Sequence, residues 1–310
     1  MDNNRSISWL QLFKDAGSDF LEDKAPQLGA ALAYYTVFSL APLLIIVMAV
    51  AGMVFGAEAV QSELDNQLQG FLGVEGAKVV QTMVAAASEP KSGTIAIVVG
   101  VVAMIFGATG VFIQMQDSLN TIWEVPSKAG GGVWGFIKSR LLSFGIVLAI
   151  CFLLLVTMVV SAFLAALSTT YKDYIPGPDV VAHGLDLVVS LLMVSGLFAI
   201  IFKYLPDVQI AWRDVWIGAL VTGVLFAIGK YAIGMYLGMA SIGSSYGAAG
   251  SLVIVLLWAY YSSQIFFFGA ELTQAYARMR GSHFGGGEAA KKKAAIPGVT
   301  AEPLIVSRGT

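Results

Sequence analysis

An all-α, polytopic membrane protein is the fold this sequence predicts, and three observations predict it. The chain is 57% hydrophobic and only 12% charged, about half the charge of an ordinary soluble domain. Six apolar runs are each long enough to cross a hydrocarbon core of about 30 Å as a helix. None alternates as a barrel strand would, and backbone in lipid must satisfy its own hydrogen bonds, so helices are the economical reading.

Residues 1–27 come before the first run. Trp9, Leu12, Phe13, Ala16 and Phe20 share one helical face there, with Lys14, Asp15 and Asp19 off it. This predicts an amphipathic helix, either lying on the membrane interface or capping the bundle. A basic start with a short apolar core behind it is absent, so no cleavable signal peptide is expected.

The six spans fall at Leu28–Phe55, Thr94–Met115, Leu141–Leu167, Leu185–Leu205, Val215–Leu237 and Leu252–Ala270, within a transmembrane domain of residues 28–275. Pro42 lacks an N–H and should kink the first of them by freeing the carbonyl of Phe38. Between the first two spans, at about 57–90, Val60, Leu64, Leu68, Phe71 and Leu72 recur at helical spacing, as do Val79, Val80, Met83, Val84 and Ala87. That pattern predicts an amphipathic helical hairpin, on the outer interface or packed as a cap. The uncharged stretch SIGSSYGAAGS, 241–251, joins the last two spans as a re-entrant turn or a tight loop. Residues 276–310, rich in Gly, Ala and Pro from Gly281 on, read as a disordered tail. Its Lys291, Lys292 and Lys293 either touch anionic lipid or are simply solvated.

Charge sets the orientation. With the N-terminus in the cytoplasm, 14 of the 18 Lys and Arg residues fall on the inner side, which by the positive-inside rule puts both termini in the cytoplasm. The net charge of −2 gives no sign of a nucleic-acid partner. The single cysteine, Cys151, allows no intramolecular disulfide and no cysteine-based metal site. No metal and no cofactor is expected, and membrane lipids are the natural partners.

Ionisable and hydrogen-bonding side chains inside apolar helices mark the candidate site. Lys230 shares a face with Gly223, Ala227, Gly234 and Gly238, small residues that let another helix approach closely. Gly234 and Gly238 form a GxxxG pair that could serve an internal contact or a dimer. Asp186, near the outer end of the preceding span, is the natural partner of Lys230. The pair is then a gate, or a register lock, or the lysine snorkels to the surface. On the inner half, Tyr35 and Ser39, Gln114 and Asp117, and Tyr260, Gln264 and Glu271 fall at similar depth on three helices. They predict a polar cavity opening inward, or interhelical hydrogen bonding with no ligand.

Four stretches in order, GAALAYYTVFSLAPLL (29–44), FIQMQDSLNTIWEV (112–125), YLPDVQIAWRDVWIGALVTGVLF (204–226) and YGAAGSLVIVLLWAYYSSQIFFFGAEL (246–272), resemble the YihY/BrkB family of bacterial inner-membrane proteins. The resemblance spans about residues 10 to 280. It implies six membrane helices, cytoplasmic termini and a link to the bacterial cell envelope. Many members carry the old label ribonuclease BN. The residues here argue against it, since His183 lies on the outer side, His283 in the tail, and no HxH, HExxH, GxSxG or P-loop pattern occurs. The expectation is therefore a non-enzymatic inner-membrane protein of envelope biogenesis, transporter-like or lipid-handling. The alternative is a membrane scaffold or accessory subunit with no substrate; two matching halves, the mark of many transporters, are not evident.

Overall fold

The computed structural model describes residues 8–88, 110–125, 145, 178–239 and 250–280. Among these the chain is helical with no strand, in the order α1 (Trp9–Glu22), α2 (Ala25–Phe55), α3 (Ala57–Ser88), α4 (110–122), α5 (Pro178–Tyr204), α6 (Trp212–Met239) and α7 (Gly250–Arg280). Four helices are long and apolar enough to cross a membrane, over Ala25–Met53, Leu187–Tyr204, Trp212–Ile233 and Leu252–Arg280. They coincide with four of the six expected spans. Of the other two, Leu141–Leu167 lies almost wholly outside the described residues and Thr94–Met115 is described only from 110 on, as part of α4.

The region expected as a hairpin is instead one continuous helix, α3, of 32 residues. Its two apolar half-stripes are in phase. The step from Leu68 to Val79 is 11 residues, close to three full turns, so no reversal is needed to put both on one face. Gly70, Gly73 and Gly76 each cost a helix only about 1 kcal/mol relative to alanine, and no proline intervenes. Val80 is fully buried with Val37, Leu44 and Val255, and Leu64, Leu68, Val79, Met83 and Val84 pack around them. Thus α3 lies along α2 and α7.

Helix α7 is the axis of the bundle and touches α1, α2, α3 and α6, while α5 packs on α6. Aromatic rings fill the junction of α5, α6 and α7, where Phe198, Phe202, Phe226 and Phe266 sit 5.3–6.1 Å apart by ring centroid. Beside them α6 and α7 interlock reciprocally. The Thr273 side chain lies over Gly218, and the Thr222 side chain lies over Gly269. Each threonine hydroxyl donates to the carbonyl of its own helix's glycine, at 2.6 Å for Thr222 and 2.7 Å for Thr273. No hydroxyl is left wanting, and the missing Cβ atoms let the backbones close up.

Helix α1 begins at Ser8, whose hydroxyl accepts from the Gln11 N–H at 3.4 Å. It docks Leu12 and Ala16 on Leu272, Ala275 and Tyr276 of α7. This docking is why α7 continues as an ordered helix past the expected end at Ala270: residues 271–277 are buried against protein. A second apolar face of α1, with Trp9, Leu10, Phe13 and Leu21, stays exposed. A corner at Asp23 and Lys24 turns the chain into α2, with Lys24 at φ 55° and Pro26 in the first helical turn. Helix α2 then runs through Pro42 without ending there.

Candidate functional site

Helix α7 carries two polar groups on one face, seven residues apart and inside the bundle. Glu271 is fully buried, and no donor reaches either carboxylate oxygen; the amide nitrogen of Gln264 is buried and also without a partner. Burial of such groups without hydrogen bonds costs on the order of several kcal/mol, so the fold retains them against its own stability. Gln264 seats against Gly29 of α2, where a Cβ would collide with its amide. Two turns on, Glu271 interacts with Asp23, just before α2 begins. Helices α2 and α7 run antiparallel, so both contacts lie along one seam.

At the foot of this seam negative charge collects. Asp23 is pushed up to a pKa of about 6 by burial, then by the charges of Glu124, Asp19 and Glu22, with Arg278 opposing. Arg278 itself forms an ion pair with Asp19. Glu124 arrives there because α4 ends in a Schellman-type turn, with the Val125 N–H donating to the Asn120 carbonyl at 3.0 Å. Glu124 occupies the left-handed position, φ 51°, where glycine is usual. Lys24 and Glu124 are the two non-glycine residues with positive φ among the described residues, and both flank this acidic corner. Such strain of about 1–3 kcal/mol per residue persists only where the surroundings hold it.

A clasp stands next to the corner. Asn120 donates through its side-chain nitrogen to the Asp207 carboxylate at 3.0 Å and accepts from the Asp207 N–H at 2.8 Å; Gln116 adds a bond at 3.4 Å. It ties the end of α4 to the loop between α5 and α6.

The remaining expected residues fall as follows. Tyr35 and Ser39 of α2 face Gly110 of α4, whose added Cβ would stand 3.2 Å from the Tyr35 ring and 3.7 Å from the Ser39 hydroxyl. Ser39 is buried and Tyr35 exposed. Gln114 is half-buried and donates to Ser118 of its own helix at 3.1 Å, while Asp117 is exposed. Tyr260 is half-buried, beyond Gln264 and away from Glu271. Lys230 is half-buried on α6, on the face where Gly223 meets Leu191 and Ser195 of α5. Seven residues farther along antiparallel helices, Lys230 reaches the level of Asp186. The side chains of Asp186, Gly234 and Gly238, the 241–249 loop and the basic tail lie outside the described residues.

Sequence reasoning missed Asp23, Asp207, Glu124 and Arg278 as partners. Each lies at a helix end or in a connection, beyond the apolar runs whose periodicity carries the signal. The available signal was the sequence EDKAP, 22–26, acids set immediately before a proline that starts a helix.

The family model described as virulence factor BrkB matches residues 16–294. A UPF0761 membrane protein of Ralstonia nicotianae is 28% identical over 260 residues, 81% of this chain and 55% of that protein. One from Psychrobacter sp. is 24% identical over 86% of this chain and 48% of its own length, and one from Pseudomonas paraeruginosa is 25% identical over 82% and 59%. The chain thus spans about half the length of the curated relatives it matches. No solved structure matches it.

Proposed function

This chain belongs to the virulence factor BrkB family of membrane proteins, and from that premise we propose that it is a transporter-like or lipid-handling protein of the bacterial inner membrane. Its working part is the polar seam between α2 and α7. The observation that carries the reading is the pair of buried, unpartnered groups on α7, the Gln264 amide nitrogen and the Glu271 carboxylate. Polar groups inside a membrane bundle tend to mark pathways, and here a hydrophilic solute or a lipid headgroup would supply the missing hydrogen bonds. Beyond Tyr260 the seam is closed by the apolar cluster of Val37, Leu44, Val80 and Val255. On this reading access is from the α1 end, on the cytoplasmic side that the positive-inside rule favours. Both termini and six membrane-crossing helices follow that orientation, with Lys230 and Asp186 on the far half as a second gate.

The reading is tested in a strain lacking the protein, complemented with Gln264→Leu, Glu271→Gln or Lys230→Met at matched membrane abundance. Loss of envelope integrity with the first two is the expected result. Wild-type behaviour from stable Gln264→Leu and Glu271→Gln proteins removes the seam from the mechanism and leaves a scaffold.

A further inference from the structure

The foot of the seam holds an arrangement that a passive polar pathway does not require. Glu271 is fully buried with no donor at either oxygen, and the side chain that interacts with it from the α1–α2 corner is Asp23, a second carboxyl. Two carboxylates are acceptors only. With Glu271 buried and Asp23 half-buried, two facing carboxylates repel unless a proton sits between them, and then they share one charge-assisted hydrogen bond. The charged groups acting on the pair are Asp19 and Glu22 of α1, Glu124 at the end of α4, and Arg278 of α7. Four are acidic counting Asp23 itself, and the one base is held by Asp19. Among the described residues Arg278 is the one base acting on the pair, and acids outnumber it.

The donor set also discriminates between ligands. A divalent cation would require several converging oxygens, six to eight for calcium, and no group of three or more His, Cys, Asp or Glu is so placed among the described residues. A proton needs only two facing carboxyls.

We propose that Asp23 and Glu271 form a proton-binding site, one proton shared between two carboxyls, through which the seam takes up H⁺ from the α1 side and α1 is held down. Asp23 lies at the C-terminal cap of α1 and Glu271 adjoins Leu272, on which Leu12 and Ala16 dock. Loss of the proton therefore puts two like charges across the α1–α7 contact and loosens it. The site gives the proposed pathway a coupling ion, yet it stands whether or not a solute moves.

The proton is read directly by infrared difference spectroscopy of the full chain in lipid nanodiscs, titrated from acid to alkaline pH. The expected result is a protonated-carboxyl C=O band that persists near neutral pH and is lost in Glu271→Gln. In Asp23→Asn, whose amide donates where the carboxylate repelled, the midpoint falls by at least about one pH unit. Both substitutions are near-isosteric, and size-exclusion profiles matching wild type establish that the proteins are folded. The proposal is overturned if the band is unchanged in Glu271→Gln, if Asp23→Asn leaves the midpoint where it was, or if Na⁺ or K⁺ abolishes the band at fixed pH. A band that behaves as expected beside an intact envelope in Gln264→Leu would keep the proton site and reject the transport reading.

Discussion

Glycines at two positions illustrate how a single atom separates function from stability here. At Gly29 an added Cβ meets first the end of the Gln264 side chain, with Ser263 Cβ at an ordinary 3.5 Å. A flexible amide can swing aside, and alanine is favoured over glycine in a helix by about 1 kcal/mol. Gly29→Ala is therefore expected to leave the melting temperature in detergent unchanged or slightly raised while impairing envelope complementation. At Gly218 the added Cβ would lie 2.8 Å from Thr273 Cβ and 3.1 Å from its Cα, so a whole helix must move. Gly218→Ala should destabilise by about 1–3 kcal/mol, read as a lower melting temperature of the same preparation. Equal melting shifts for the two variants would contradict this assignment of contacts. The same scale shows why the site was only half legible from the sequence. Gln264 and Glu271 declare themselves as polar residues in apolar surroundings. Their neighbours Gly29 and Asp23 are more than 200 residues away in the chain, and nothing about one helix's periodicity names the residue opposite.

Elements differed in how plainly the sequence announced them, and the difference is physical. Four apolar spans were legible because about 20 lipid-facing residues admit little but a helix. Helix α3 was legible as amphipathic but not as continuous: two apolar stripes fit a hairpin or a straight rod, and only packing along α2 and α7 decides. The connections were the least legible. The clasp of Asn120 on Asp207 joins residues 87 apart, yet it fixes where α4 ends relative to the α5–α6 hairpin. Asn120 is buried and makes two bonds with Asp207. Its replacement by Ala leaves the Asp207 N–H without this acceptor and the Asp207 carboxylate oxygen with only the longer bond from Gln116. A loss of about 1–3 kcal/mol is expected. It should be accompanied by faster proteolysis within the 205–211 connection, since that loop is what the clasp restrains. Unchanged cleavage of Asn120→Ala would show that the loop is held by other contacts.

For the whole molecule, α1 joins the bundle to its surroundings because it has three faces. Leu12 and Ala16 dock on α7, Trp9, Leu10, Phe13 and Leu21 stay exposed and apolar, and Gln11, Lys14, Ser18 and Glu22 are exposed and polar. An exposed apolar face beside membrane-crossing helices suits the headgroup region of the bilayer; on the proposed reading α1 meets lipid on that side, while α7 holds the other. The α7 side is sensitive to pH. Asp23 carries a pKa of about 6 when α1 is docked, against an ordinary 3.8, so docking takes up a proton between those values. A raised carboxyl pKa stabilises the docked state fully below 3.8 and loses that contribution as pH rises through about 6. Docking must therefore strengthen on acidification from neutral pH. The opposing contact, the ion pair of Arg278 with Asp19, contributes little because Arg278 is exposed. Spin labels at Ser18→Cys and Arg280→Cys in a Cys151→Ser background would follow the α1–α7 distance. One narrow, short distribution is expected at pH 5 and a broader, longer one at pH 8. The pH dependence should shrink in Asp23→Asn, which leaves one carboxyl of the pair in place of two, and survive unchanged in Arg278→Gln. If acidification instead lengthened the distance, the charges at this corner would be holding α1 on, and the acidic cluster would be a clamp rather than a release.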